Sequence, residues 1–294
     1  MKTHLKILWL ILTAAIALPA CSKSSPATTV QNTPAPMQNT ATAADSGNVK
    51  VKITTTMGDI TVLLYGDTPR HRDNFIRLVD SNYYDSTLFH RVIDKFMIQA
   101  GDPDSRTARP GQQLGAGGPD YKIDAEIVFP RHFHKRGALA AARQGDQVNP
   151  LKQSSGSQFY IVTGDTLNEP QIAQYEQHMR MSRAQSIFNQ LAVAQRDSII
   201  EMQRRGDRQG LQALQNSLIE QAEARAAEMN VAMTPEMRAA YTTVGGAPHL
   251  DGEYTVFGEV IDGMDVVQRI EAAETDAANR PLQDIRILHC EVVP

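Results

Sequence analysis

Residues 89 to 102, FHRVIDKFMIQAGD, constrain this chain more than any other stretch. They read as two short strands around a turn at Asp94 and Lys95. Phe89, Val92, Ile93, Phe96, Met97 and Ile98 make both arms apolar, yet Arg91 sits inside the first and Gln99 inside the second. A permanent cation and an amide among such side chains need a partner or a task. A structural ion pair with Asp102 is one answer. Strand parity puts Met97 and Gln99 on one face and leaves Phe96 on the other. Phe96 joins them only if the backbone after Lys95 is irregular.

The surrounding pattern extends this. VKITTTMGDITVLLY, from Val51, reads as two strands with a turn at Met57-Gly58-Asp59, and strand signals begin at Val49. TPRHRDNFIRLVDSNYY reads as a helix, with Pro69 in its first turn and Phe75, Leu78 and Val79 on one face. Residues 103 to 122 are a Gly/Pro-rich loop, and GAGG from Gly115 reads as a turn. GALAAAR, SQFYIVTG and YTVFGEVI are further strands, GMDVVQRIEAA a second helix, and IRILHCEVV the last strand. Many short strands with two helices predict a mainly β fold, a closed antiparallel barrel.

Residues 165 to 245 break that rhythm. From Pro170 to Gly206 there is no interior Gly or Pro, and apolar residues recur at helical spacing through Ile172, Tyr175, Met179, Phe188, Leu191, Ile199 and Met202. Gly206-Asp207 is a stop and restart, after which Leu211, Leu214, Leu218 and Ala222 continue the period. Thr234-Pro235 caps a short third helix ending near Tyr241. The first helix alone spans about 50 Å at 1.5 Å per residue, so the helical hairpin is expected to project from a barrel built of residues 49–164 and 246–294.

Residues 1–20 read as a signal peptide: Lys2 and Lys6, an apolar run from Ile7 to Leu18, then Pro19-Ala20 before Cys21. LPAC resembles the bacterial lipobox, which implies lipidation of Cys21 and a membrane anchor. No Asp follows Cys21, which by the same resemblance favours the outer membrane, facing the periplasm. Residues 21–48, rich in Ser, Thr, Ala, Pro, Gln and Asn, read as a flexible tether reaching roughly 25–30 Å. The other cysteine, Cys290, alternates with strand residues and reads as a buried, inert thiol. A net charge of −4 without a basic block argues against nucleic acid as a partner. His132 and His134 invite a metal reading, but no further ligand follows with clear spacing, so no metal and no cofactor are expected.

FHRVIDKFMIQAGD, followed by SGSQFYIVTG and HLDGEYTVFGEV, resembles the cyclophilin family of peptidyl-prolyl isomerases. The resemblance runs from about Val49 to Gly164 and again from about Gly246. It implies an eight-stranded barrel with two capping helices, the helical hairpin being an insertion. It also implies proline-containing, unfolded or extended polypeptides as substrates. Arg91 would donate to the prolyl nitrogen of the twisted transition state, and Phe96, Met97 and Tyr160 would line the slot for the ring, with Leu250 at its edge. Gln99 would hold the carbonyl of the preceding residue. The Arg143 backbone would pair with the peptide main chain, and Ala142 and Gln158 would shape the adjoining groove. His90 would be structural, because the reaction moves no proton.

Four positions depart from the better-known members. His249 stands where many carry Trp, Tyr254 where many carry His, Tyr160 for a commoner Phe and Arg143 for a commoner Asn. The rival expectation is a weakly active scaffold acting as a chaperone or peptide-binding module through its helical arm. Because His249 removes apolar surface, cyclosporin-type macrocycles are predicted to bind weakly; submicromolar inhibition in a peptide assay would contradict this.

Overall fold

The structure is a computed structural model that describes residues 47–228 and 233–294. The signal peptide, Cys21 and nearly all of the tether lie outside the described residues. The strands are β1 (Val49–Thr55), β2 (Gly58–Leu64), β3 (Arg91–Ile93), β4 (Met97–Ala100), β5 (Lys122–Ile123), β6 (Ala138–Ala141), β7 (Ser154–Ser155), β8 (Phe159–Val162), β9 (Val256–Asp262) and β10 (Ile287–Val293). The helices are α1 (Pro69–Asp80), α2 (Glu169–Ala194), α3 (Arg196–Arg205), α4 (Arg208–Glu228), α5 (Pro235–Thr243) and α6 (Met264–Glu271).

Eight strands form one antiparallel sheet in the order β10-β1-β2-β9-β6-β8-β4-β3, and β5 pairs with β7. The expected closed barrel is corrected here: no ladder joins β3 to β10, and the sheet is an open, curled half-barrel. Irregular backbone bridges the seam through Leu88 opposite Arg286, with Phe89 N donating to Ile285 O (2.9 Å) and Ile287 N to Thr87 O (2.9 Å). The mainly β expectation is also corrected, since the six helices hold more residues than the strands.

Strand parity builds two cores from one sheet. Val51, Ile53, Ile60, Val62 and Leu64 face inward with Leu139, Ala141, Phe159, Ile161, Ile98 and Ala100, and α1 adds Phe75 and Leu78. Ala138, Ala140, Tyr160, Val162 and Met97 point to the other face and pack with Ala247 and Val256. Small alanines on that face let the 247–254 segment come down onto the sheet. Cys290 is buried, and burial pushes its thiol up to about 12.

The expected long first helix divides at Gln195, whose N–H is shared between Leu191 O (3.1 Å) and Ala192 O (3.2 Å). Neither Gly nor Pro marks the break, so α2 is about 39 Å long at 1.5 Å per residue. Gly206 ends α3 in the left-handed conformation, and Thr234 caps α5 by accepting from Met237 N (3.2 Å), both as expected. α2 packs against α4, and Ile172, Tyr175, Ala184, Phe188, Leu218, Ala222 and Ala226 are buried. Ile172, Tyr175, Met237 and Tyr241 join Phe133 in a third core, where α2 and α5 meet the 129–133 loop.

Gly101 ends β4 at φ +90°, and a Cβ there would overlap the Ser157 carbonyl. The atoms it would meet are all backbone of Ser157 and Gln158, so no flexible side-chain end can give way. Gly101→Ala is expected to lower stability by about 2 kcal/mol or more, read by thermal unfolding; an unchanged midpoint would contradict the fit.

Candidate active site

Arg91 opens β3 opposite Gln99 of β4, and Gln99 lies opposite Tyr160 of β8. All three therefore stand on the outer face of the sheet. Lys95 between the two strands has φ +57°, the irregular backbone that Phe96 requires. Two contacts hold that turn: Lys95 N donates to Glu271 Oε1 at the end of α6 (2.9 Å), and Lys95 Nζ pairs with Asp165 (2.9 Å). Phe96 thus comes round to the face of Met97 and Gln99.

Arg91, Phe96, Met97, Gln99, Ala142, Arg143, Tyr160, Leu250 and Tyr254 surround one cavity of about 150 Å³. His249 stands at its edge, its ring 5.2 Å from that of Phe96. Gln158 lies in the next groove, about 270 Å³, shared with Gln99, Ala142 and Arg143 and floored by Gly115 to Gly118. On the other side of Arg91 and Gln99 a depression of about 490 Å³ continues past His90 and Gln112. A pocket the size of one small ring therefore sits within a longer surface path.

A chain of amides orients the cation. Gln158 Nε2 donates to Gly117 O (2.7 Å) and Gly115 O (3.1 Å), so its oxygen faces Gln99 Nε2 (2.9 Å). Gln99 Oε1 is then left for Arg91 Nη1 (3.2 Å). Every donor and acceptor assignment follows from the two carbonyls at the far end. Arg91 spends one of its five donors on this bond and remains exposed.

The ion pair with Asp102 does not form. Asp102 is fully buried and accepts backbone N–H groups of Asp104 (2.9 Å), Gly115 (2.5 Å) and Gly117 (3.4 Å). Beside Arg91, burial holds the His90 imidazole below its usual range, which favours the uncharged ring next to the guanidinium. Arg143 turns its side chain away: Nε donates to Glu253 O (2.9 Å), Nη1 meets Asp146 (2.5 Å), and the guanidinium lies 4.4 Å over the Tyr254 ring. The ladder between β6 and β8 stops at Ala141 and Phe159, so the Arg143 main chain lies just beyond it.

The two histidines weighed as metal ligands part company. His132 Nε2 meets Asp67 (2.7 Å) and its ring stacks 4.0 Å from Tyr65, whereas His134 bridges Asp251 and Tyr160. His134, Asp251 and Tyr241 are polar groups behind the pocket that sequence reasoning did not assign to it. The one available signal was Asp251 inside HLDGEYTVFGEV, a carboxylate with no apolar reason to be there.

The family model described as cyclophilin type peptidyl-prolyl cis-trans isomerase/CLD matches residues 50–193 and 238–292. Peptidyl-prolyl cis-trans isomerase-like 3 of Dictyostelium discoideum is 39% identical over 119 residues, 40% of this chain and 66% of that protein. Peptidyl-prolyl cis-trans isomerase cypE of the same organism is 40% identical over 117 residues, 40% of this chain and 68% of its own length. The match to peptidyl-prolyl isomerase cwc27 of Rhizopus delemar spans 20% of that protein, so the shared part is one module of a larger chain. A solved cyclophilin type isomerase of Cryptosporidium parvum aligns with 84% of this chain and 98% of its own, at 22% identity and a TM-score of 0.49. With the family model covering both halves of the sheet and every residue around the cavity, the chain belongs to the cyclophilin-type peptidyl-prolyl cis-trans isomerase family.

Proposed function

We propose that this protein is a peptidyl-prolyl cis-trans isomerase that turns Xaa-Pro bonds in exported or envelope polypeptides. The observation that carries the reading is the convergence of Arg91 with Phe96, Met97, Gln99, Tyr160 and Leu250 on a cavity sized for a pyrrolidine.

Rotation about the bond before proline breaks amide resonance against a barrier near 20 kcal/mol. No bond to a substrate atom is made or broken. In the twisted state the prolyl nitrogen is pyramidal and regains a lone pair. A donor aimed at that nitrogen binds the twisted state better than either planar isomer, and that difference is what accelerates the reaction. Arg91 has donors left after Gln99, in a fork that cannot lose its charge. The apolar wall of Met97, Phe96 and Leu250 keeps its field poorly screened on that side. Gln99 keeps one N–H for the carbonyl of the preceding residue, because its amide spends only one on Gln158. The Arg143 main chain supports an extended segment entering over Ala142 and the Gln158 groove.

The rival scaffold reading rests on the altered rim and on the position and exposed amphipathic surface of the helical arm. Of that arm, Ile172, Tyr175 and Phe188 of α2 and Leu218 of α4 are buried, while Met181 and Val193 of α2 are exposed. The proposal also covers location: a lipid at Cys21 would hold the sheet and its cavity just off a membrane, and no described helix is long and apolar enough to cross one.

In a proline-peptide isomerisation assay Arg91→Ala is expected to lower kcat/KM about 100-fold or more, roughly 3 kcal/mol of transition-state stabilisation. Equal rates for the two proteins would remove the enzyme reading. In bacterial cells Cys21→Ser is expected to move the protein out of the membrane pellet; full retention there would refute the anchor.

A further inference from the structure

Behind the proline cavity runs a buried polar chain that the isomerisation does not use. Asp251 Oδ1 accepts from His134 N (2.8 Å) and meets His134 Nδ1 (3.0 Å), while Asp251 Oδ2 accepts from the Tyr241 hydroxyl (2.6 Å). At the other side of the ring His134 Nε2 meets the Tyr160 hydroxyl (3.0 Å). Asp251, His134, Tyr241 and Tyr160 are all at most 4% exposed. One end of the chain, Tyr160, is a wall of the cavity; the other, Tyr241, belongs to α5.

The proton positions follow from the acceptors. A carboxylate offers no hydrogen, so Nδ1 of His134 carries one. Nε2, on the far side of the ring, then meets the Tyr160 hydroxyl. Burial first, with Tyr254 and Asp251 adding to it, holds the Tyr160 phenol protonated; burial and Asp251 do the same for Tyr241. Both hydroxyls are therefore held within the chain, Tyr241 donating to Asp251 and Tyr160 meeting His134. Tyr160 sets its hydroxyl against His134 and lines the cavity, so a phenol serves as an apolar wall.

We propose that His134, Asp251 and Tyr241 are positioning residues of the proline cavity, acting through Tyr160, and that helix α5 is thereby wired to the site. Removing the Tyr241 hydroxyl leaves Asp251 Oδ2 buried without its donor. His134 then loses its fixed orientation, and the Tyr160 ring loses the anchor that sets its tilt. Tyr160 meets the prolyl ring in planar and twisted states alike. Its displacement therefore weakens binding uniformly: KM rises and kcat holds. A protein merely destabilised would show fewer active molecules, a lower kcat at unchanged KM.

The test is a double-mutant cycle on Tyr241→Phe and Tyr160→Phe in the full protein, and its kinetic half rests on the isomerase reading. Affinity for an Ala-Pro peptide is measured by calorimetry, and kcat and KM by isomerisation. Tyr241→Phe is expected to raise Kd and KM about fivefold, with kcat within about twofold. In the Tyr160→Phe background the same change is expected to alter Kd by less than about twofold, because the link is already cut. An unchanged Kd in Tyr241→Phe, or the same factor in both backgrounds, overturns the proposal. Should circular dichroism show Tyr241→Phe unfolded, His134→Leu takes its place in the cycle under the same criteria. A wild-type chain that binds the peptide without turning it over defeats only the enzyme reading, since the affinity cycle still decides. A chain that binds no proline peptide overturns both.

Discussion

The site depends on one bond, from Arg91 Nη1 to Gln99 Oε1. Its direction is imposed from 115–117, where two loop carbonyls oblige Gln158 to point its nitrogen at them. The same loop gives its N–H groups to Asp102. One turn therefore does two things at once. It occupies Asp102, the carboxylate that the sequence offered to Arg91, and it orients the amides that hold the guanidinium in place. Had Asp102 turned outward, Arg91 would sit in an ion pair with its donors spent.

The sheet supplies the platform because adjacent residues face opposite ways. β4, β8 and β6 give alternate side chains to the inner core and to the cavity. The inner residues are packed among aromatic rings, Phe75 lying 5.3 Å edge-on to Phe159 and 5.7 Å from Phe257. A one-residue slip of register would send Ile98 and Ile161 to solvent and pull Gln99 and Tyr160 into the core. Retaining the register is therefore a condition both of folding and of the site.

Much of this was legible in the sequence. The parity of Met97 and Gln99, the odd placement of Phe96 and the Gly206 and Thr234 helix limits are local effects of one or a few residues, and they appear in the structure as φ angles and caps. The open seam was not legible, because Leu88 and Arg286 meet as one bridge between irregular segments that each look like strand continuations. Neither was the break at Gln195, which has no sequence punctuation. The polar chain through Asp251 and His134 escaped for a different reason. Its members are 117 positions apart in the sequence, and His134 has a neighbour, His132, that suggested a metal instead.

The cavity is lined by two guanidinium groups, yet its field is that of one. Arg143 is closed off by Asp146 and by Glu253, which also takes Lys152 (2.5 Å), and its flat face covers Tyr254. Placing Arg where the family more often has Asn therefore adds little charge toward the cavity and stiffens its rim. His90 is discharged by burial on the opposite flank. With Arg143 held by Asp146 and Glu253, Arg91 is the guanidinium left facing the cavity with donors to spare, which is what the proposed mechanism requires of it.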